Sequence, residues 1–281
     1  MSDIESPLVS VCIPTYKGSA HLTATIDSVL KQTLTDFELI IIDDCSPDDT
    51  VDLVRRYNDP RLRYICNAHN LGPEGNWNRC LQEAKGRYFK LLPQDDLLYP
   101  DTLQRQVDIL QNDPESQVAL VFGARNIIDA QGKTITKRGL PGGREGRVAG
   151  TGLVRRCVRF GTNLIGEPGS VLMRKALADK VGLFDGDVGY VIDLDYWVRL
   201  LSHGDAYYQN SVVSAFRVSG GSWSVAIGTS QSREYRRFID KLSARPVLGL
   251  SRLDRIVGGG MAGLNNVMRL LFYRFVLKNM E

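Results

Sequence analysis

Five short apolar runs dominate the first 122 residues: Leu8–Ile13, Phe37–Ile42, Leu62–Cys66, Tyr88–Leu92 and Val118–Phe122. Each is β-branched or aromatic and bounded by turn residues, the signature of a buried strand. Between them the spacing switches to the helical period. Leu22, Ile26, Val29 and Leu30 recur at i, i+4, i+7 and i+8, and Leu103, Val107 and Leu110 share one face. Strands buried on both sides and alternating with amphipathic helices predict an α/β fold: a mostly parallel central sheet with helices on both faces.

The punctuation refines this. Ser46-Pro47-Asp48-Asp49 reads as a helix start. Asn67–Gly75 reads as a loop, and Trp77–Ala84 as a helix closed by Gly86. From Gly123 to about Gly161 the pattern weakens, and Gly139–Gly143 and Gly150–Gly152 mark loops, either a substrate-covering region or a plain surface excursion. A strand at Ser170–Met173, a helix at Arg174–Lys180, a helix at Val191–Ser202 and a strand at Tyr207–Val218 follow. The helix at Val191 opens on Asp193 and Asp195. Beyond Trp223 the character changes: Arg233–Leu242 and Leu264–Leu277 are helical and basic, joined at Gly258–Gly260. The expected organisation is an α/β domain over 1–225 and a basic helical extension over 226–281.

Charge follows the same division. From Gln231 onward ten Lys/Arg face four acids, a net of +6, which leaves −3 for the rest of a chain whose total is +3. Leu264, Val267, Met268, Leu271 and Phe275 form an apolar stripe in this basic tail, suited to a membrane surface, to the protein's own body or to a second subunit. The five cysteines are scattered without a CxxC pair, as in free thiols of a reducing cytosol, and a zinc site is not expected. No apolar run approaches a membrane span, and the polar N-terminus carries no secretion signal. The expected location is cytoplasmic, with peripheral contact at the inner membrane face.

In open parallel sheets, ligands bind beyond the carboxyl ends of the strands. Here those ends carry Pro14-Thr15-Tyr16, Asp43-Asp44 and Asp95-Asp96. An aromatic ring can stack on a base, a carboxylate can accept from base or ribose, and paired carboxylates can hold a hard divalent cation against a diphosphate. Neither common Gly-rich phosphate loop is present, which argues against a P-loop nucleotidase and a dinucleotide dehydrogenase. Nothing points to nucleic acid.

The stretches VSVCIPTYK, SVLKQT, FELIIIDDCSPDDT, NLGPEGNWNRCLQEAKGRYFKLLPQDD and GLFDGDVGYVIDLDYWVRL, in this order, resemble family-two glycosyltransferases of GT-A fold over roughly Leu8–Ser224. The resemblance implies an inverting transfer from a nucleotide-diphospho-sugar, UDP- or dTDP-linked, to a glycan or lipid-linked acceptor in polysaccharide or O-antigen synthesis, with Mn2+ or Mg2+ as cofactor. By position it assigns Pro14, Thr15, Tyr16 and Asp44 to the base, Asn78 and Arg79 to the nucleotide-sugar, and Asp95 to ribose or diphosphate. Asp96, helped by Asp95, becomes the metal ligand and Asp193 the general base. The chain departs from many relatives at Pro93 and Ile192, where they carry acids, and at Ser219, where a histidine follows the motif arginine (here Arg217). These departures keep a non-catalytic nucleotide- or sugar-binding module in view. A sugar nucleotidyltransferase is the other alternative, though PTYKGS lacks its Gly-rich basic signature.

Overall fold

The computed structural model describes residues 6–218 and 230–278. Ser219, Trp223 and the junction at 225/226 lie outside the described residues. The expected strands form as β1 Val9–Thr15, β2 Phe37–Asp43, β3 Leu62–Cys66, β4 Tyr88–Leu91 and β6 Val118–Ile128, with a two-residue β5, Leu97–Leu98, between the last two. Three more elements, β7 Thr134–Arg138, β8 Gly146–Val148 and β9 Val171–Arg174, precede β10 Asp205–Arg217. Spatially the order is β3-β2-β1-β4-β9-β6-β10-β5, with β7 on β6 and β8 on β10. The run β3-β2-β1-β4 is parallel, and β6 is parallel to β10. Antiparallel β9 is wedged between β4 and β6, so the sheet is mixed.

Period-two alternation decides which side chain faces which layer. Val9, Val11, Ile13, Leu39 and Ile41 pack under helices α1 (Leu22–Leu30), α2 (Thr50–Val54) and α4 (Thr102–Gln111). Their neighbours Cys12, Ile40 and Ile42 face the opposite core, built on α3 (Gly72–Glu83), α5 (Gly150–Phe160), α6 (Lys175–Val181) and α7 (Ile192–Leu201). The helices α8 (Gln231–Ser243) and α9 (Arg252–Lys278) join this second core through Tyr235, Phe238, Ile239, Leu242 and Ala262. The C-terminal extension is therefore continuous with the catalytic core.

Several local readings are corrected. Ser46 does not start a helix: its hydroxyl donates to Asp43 Oδ1 (2.6 Å) and accepts from the Lys17 N–H (2.8 Å), and α2 begins only at Thr50. Short polar side chains here bond the nearby chain in place of a helical turn. Helix α3 begins at Gly72, inside the expected loop, because the Asp44 carboxylate accepts from the Leu71 and Gly72 N–H groups (2.8 and 2.9 Å). Gly86 is no helix cap: a Cβ there would stand 2.4 Å from the Ser10 nitrogen, so it permits β4 to start against β1. The weak stretch 123–161 contains the end of β6, its hairpin with β7, then β8 and all of α5. The glycines Gly258–Gly260 lie inside α9 and join no two helices. A Cβ on Gly258 would stand 2.4 Å from the Val158 carbonyl oxygen, so the glycine allows α9 to cross α5 closely. Ser251 and Asp254 hold the start of α9 reciprocally, Asp254 N donating to Ser251 Oγ (3.1 Å) and Ser251 N to Asp254 Oδ2 (2.9 Å).

Candidate active site

The carboxyl end of β4 delivers Asp95 and Asp96 to the middle of the sheet. Asp96 is 1% exposed; its Oδ1 accepts from the Arg217 N–H at the end of β10 (3.0 Å). Burial, then the adjoining Asp95 carboxylate, pushes Asp96 well above the usual carboxylate range. Asp95 is half-buried and raised too, chiefly by burial, with Arg217 opposing. Arg217 does not pair with either carboxylate: its guanidinium donates to the Asp95, Asp129 and Ala130 carbonyls (2.9, 3.0 and 2.9 Å).

Two adjoining acids held this way are costly as anions unless a cation joins them. Asp96 Oδ2 accepts no hydrogen bond among the described residues, and a Cβ on Gly169 would stand only 3.8 Å from it, so glycine leaves that oxygen a clear approach. Among the described residues no group of three or more His, Cys, Asp and Glu could hold a metal. The donor set is thus two hard oxygen ligands, which suits an ion that keeps waters and takes phosphate oxygens as further ligands.

Asp193 opens α7. Its Oδ2 accepts from Asn163 Nδ2 (2.9 Å) and its Oδ1 from the Leu194 N–H (2.7 Å). Burial raises its carboxyl to about 7, with the charge of Glu167 adding and Asn163 and Arg125 opposing. Glu167 also raises Asp96, so its charge reaches both acids. Burial pushes Glu167 up as well, but Arg125, whose Nε lies 2.6 Å from its Oε2, holds it ionised and below its ordinary value. Asp195, two residues from Asp193, is turned away to an ion pair with Arg199 (2.9 Å) and lies 3.4 Å from Lys241 of α8.

The expected base-side residues are brought to one rim, in unequal states. Tyr16 is 41% exposed, with Lys17 Nζ 5.3 Å from its ring centroid, and is free to stack. Pro14 is buried within β1, paired in register with Ile42. Thr15 is buried and donates to Gln94 Oε1 (2.5 Å). The Asp44 carboxylate accepts three hydrogen bonds, from Asn67 Nδ2 (2.6 Å) and the two N–H groups at the start of α3. A carboxylate offers about four acceptor sites, which leaves one for a base N–H. Asn78 and Arg79 are engaged within the protein, Arg79 through Asn67, whose amide donates to Asp44. Asn78 clasps the backbone of Phe184 (3.1 and 2.7 Å), and Arg79 donates to Asn67 Oδ1.

Sequence reasoning missed Gln94, Arg125, Asn163, Glu167 and Lys90. Gln94 ties the end of β1 to the end of β4: its side chain accepts from Thr15 Oγ1 and the Tyr16 N–H (2.9 Å) and donates to the Tyr16 carbonyl (3.1 Å). Lys90 is fully buried in β4 and donates to the Gly169 and Val171 carbonyls (3.0 and 2.9 Å). It thereby braces the turn Pro168–Ser170, which follows Glu167. A glutamate flanked by Gly166 and Pro168, and an arginine prolonging an apolar strand, were the available signals.

The family model for glycosyl transferase family 2 matches residues 10–182, well over half of the chain. An uncharacterized protein of Mycobacterium tuberculosis is 32% identical over 201 residues, which is 69% of this chain and 62% of that protein; the chain thus spans somewhat under two thirds of it. Among solved structures, Staphylococcus aureus TarS 1-349 in complex with UDP-GlcNAc superposes with a TM-score of 0.68 at 19% identity, covering 92% of this chain and 72% of that one. The mannosyltransferase PcManGT of Pyrobaculum calidifontis, in complex with GDP-Man and Mn2+, does so at 0.63 and 18%, covering 97% and 74%. Matched by the family model over most of its sheet, and folded like these enzymes, the chain belongs to glycosyl transferase family 2 and has the GT-A fold.

Proposed function

We propose that this chain is an inverting glycosyltransferase that moves a sugar from a UDP- or dTDP-linked donor to a hydroxyl acceptor in cell-surface polysaccharide or O-antigen assembly. The observation that carries the reading is Asp193. It is a half-buried carboxyl raised to about 7 and oriented by Asn163, and the charge of Glu167 raises both it and Asp96. A base works best when its pKa lies near the working pH. Asp193 takes the proton of the acceptor hydroxyl, the acceptor oxygen bonds to the anomeric carbon, and the bond from that carbon to the diphosphate oxygen breaks. The electron pair leaves with the nucleoside diphosphate, and the configuration inverts.

Asp96 and Asp95 would hold a manganese or magnesium ion, which supplies charge stabilisation to the departing diphosphate. TarS was solved with UDP-GlcNAc and the mannosyltransferase with GDP-Man and Mn2+, which supports a nucleotide-diphospho-sugar donor and a divalent metal. Tyr16 stacks on the base, and Asp44 receives its N–H. The test is the anomeric outcome: an α-linked donor should give a β-linked product by proton NMR, and retention would refute the mechanism.

The extension adds a place. On α9, Leu253, Leu264, Val267 and Leu271 are 54–63% exposed on one face, and Arg252, Arg255 and Arg269 add charge along the helix. Among the described residues no helix is long and apolar enough to cross a membrane. The face therefore fits peripheral contact at an anionic membrane. Substituting Leu264→Glu with Leu271→Glu should abolish sedimentation with anionic liposomes. The spacing 253, 257, 260, 264, 267, 271 also alternates by four and three, as in a helix seam. Light scattering that finds a dimer in the unaltered chain and a monomer in this variant would assign the face to a second copy instead.

A further inference from the structure

We propose that the cavity between the β7 hairpin and α9 seats an anionic group of the acceptor, a phosphate or a sugar carboxylate, and so selects acidic acceptors; this rests on the transfer reading above. The cavity holds about 480 Å³, within the range of small-ligand sites. Arg125, Lys137, Arg138 and Arg269 line it, and among the described residues no carboxylate does. Arg125 is neutralised by Glu167. Arg269 donates to the Tyr190 hydroxyl and the Gln231 side-chain carbonyl, both neutral, so its charge persists. Lys137 is exposed and has no ion pair among the described residues.

The cavity also shares walls with the chemistry. Asn163 lines it and donates to Asp193, while Arg125 lines it and pairs with Glu167. A ligand anchored on the cations therefore approaches Asp193 from the side of Asn163. Asn265 and the apolar Met268 and Phe272 complete the wall on α9, a surface that suits a sugar ring or an alkyl chain beside the anion. Unlike charges at a partly screened separation attract, which distinguishes a charged from a neutral acceptor.

Isothermal titration on the full chain, with UDP and Mn2+ saturating, compares a galacturonate hexamer, farnesyl phosphate below its micellar concentration, and neutral maltohexaose. At least one anionic probe should bind tenfold or more tighter than maltohexaose, and Lys137→Glu should weaken it about tenfold. A preference for the hexamer identifies an acidic glycan, and one for the phosphate a lipid-linked source. Equal binding of all three, or unchanged binding of the anionic probe to Lys137→Glu, overturns the proposal. Thermal stabilisation by UDP with Mn2+ should be the same in Lys137→Glu and the unaltered chain. If UDP with Mn2+ stabilises neither, the transfer reading fails independently of the anion preference.

Discussion

Replacing Asp193 by Asn separates its chemistry from its place in the fold. Removing a general base lowers turnover by about 10²–10⁴. The stability effect is specific as well. Asp193 is raised from an ordinary 3.8 to about 7, so the folded state holds its proton more tightly than the unfolded chain. That contribution is present in full below 3.8 and is lost as pH rises towards 7. At about 1.36 kcal/mol per pH unit this amounts to about 4 kcal/mol, and solvent access to the half-buried group reduces it to about 2 kcal/mol. Asparagine avoids that loss but puts an N–H2 where a carboxylate oxygen accepted. The Asn163 amide cannot turn to meet it, because its oxygen accepts from Ile165 N and Gly166 N (both 3.0 Å). The mismatch costs about 1–3 kcal/mol. Urea unfolding at pH 5 and pH 8 should show the variant weaker at pH 5 and gaining about 1 kcal/mol on the parent by pH 8, since part of the contribution is already lost at pH 5. UDP release with acceptor should fall at least a hundredfold while UDP binding persists. Turnover within tenfold of the parent, or the same stability difference at both pH values, would refute the reasoning.

Further outcomes follow from the same geometry. Burial alone lowers Lys90 to about 7, so the folded state binds fewer protons than the unfolded chain between that value and 10.5. The parent should therefore gain up to about 2–3 kcal/mol of stability relative to Lys90→Met between pH 7 and pH 9, measured by urea unfolding. Lys90→Met should also loosen the turn after Glu167 and raise the Km for the donor. Gly258→Ala places a methyl 2.4 Å from the Val158 carbonyl, which should lower stability by about 1–3 kcal/mol through displacement of α9, seen as a reduced Tm with donor turnover retained.

The parallel half of the sheet was legible because each of its strands is a short, mostly apolar run, broken by a single polar residue (Ser10, Glu38, Arg63 or Lys90) and bounded by turn residues. Val118–Phe122 was read short because Arg125 and Asn126 break the apolar pattern while the strand continues to Ile128. The hairpin with β7 was missed because Thr134–Arg138 is polar and largely exposed, and α5 because its glycine-rich start reads as a loop. Gly150 sits there because a Cβ would lie 2.3 Å from the Gly204 carbonyl, a long-range contact with no local trace. In the site, Asp95, Asp96 and Asp193 stood out as acids at element ends. Glu167 and Asn163 come from an irregular segment that only the folded chain sets between them. Asn78 illustrates the converse: its place in a motif suggested the nucleotide, whereas its hydrogen bonds close a turn at Phe184.

The central claim is that the buried acids of β4 meet a nucleoside diphosphate through a divalent cation. Its most direct test is thermal shift of the full chain with uridine, thymidine, guanosine and adenosine diphosphates, each with and without Mn2+, repeated on Asp96→Asn. Uridine or thymidine diphosphate should stabilise the parent only with Mn2+, and the variant in neither condition. Stabilisation that ignores Mn2+, survives Asp96→Asn or is confined to purine nucleotides would contradict the account.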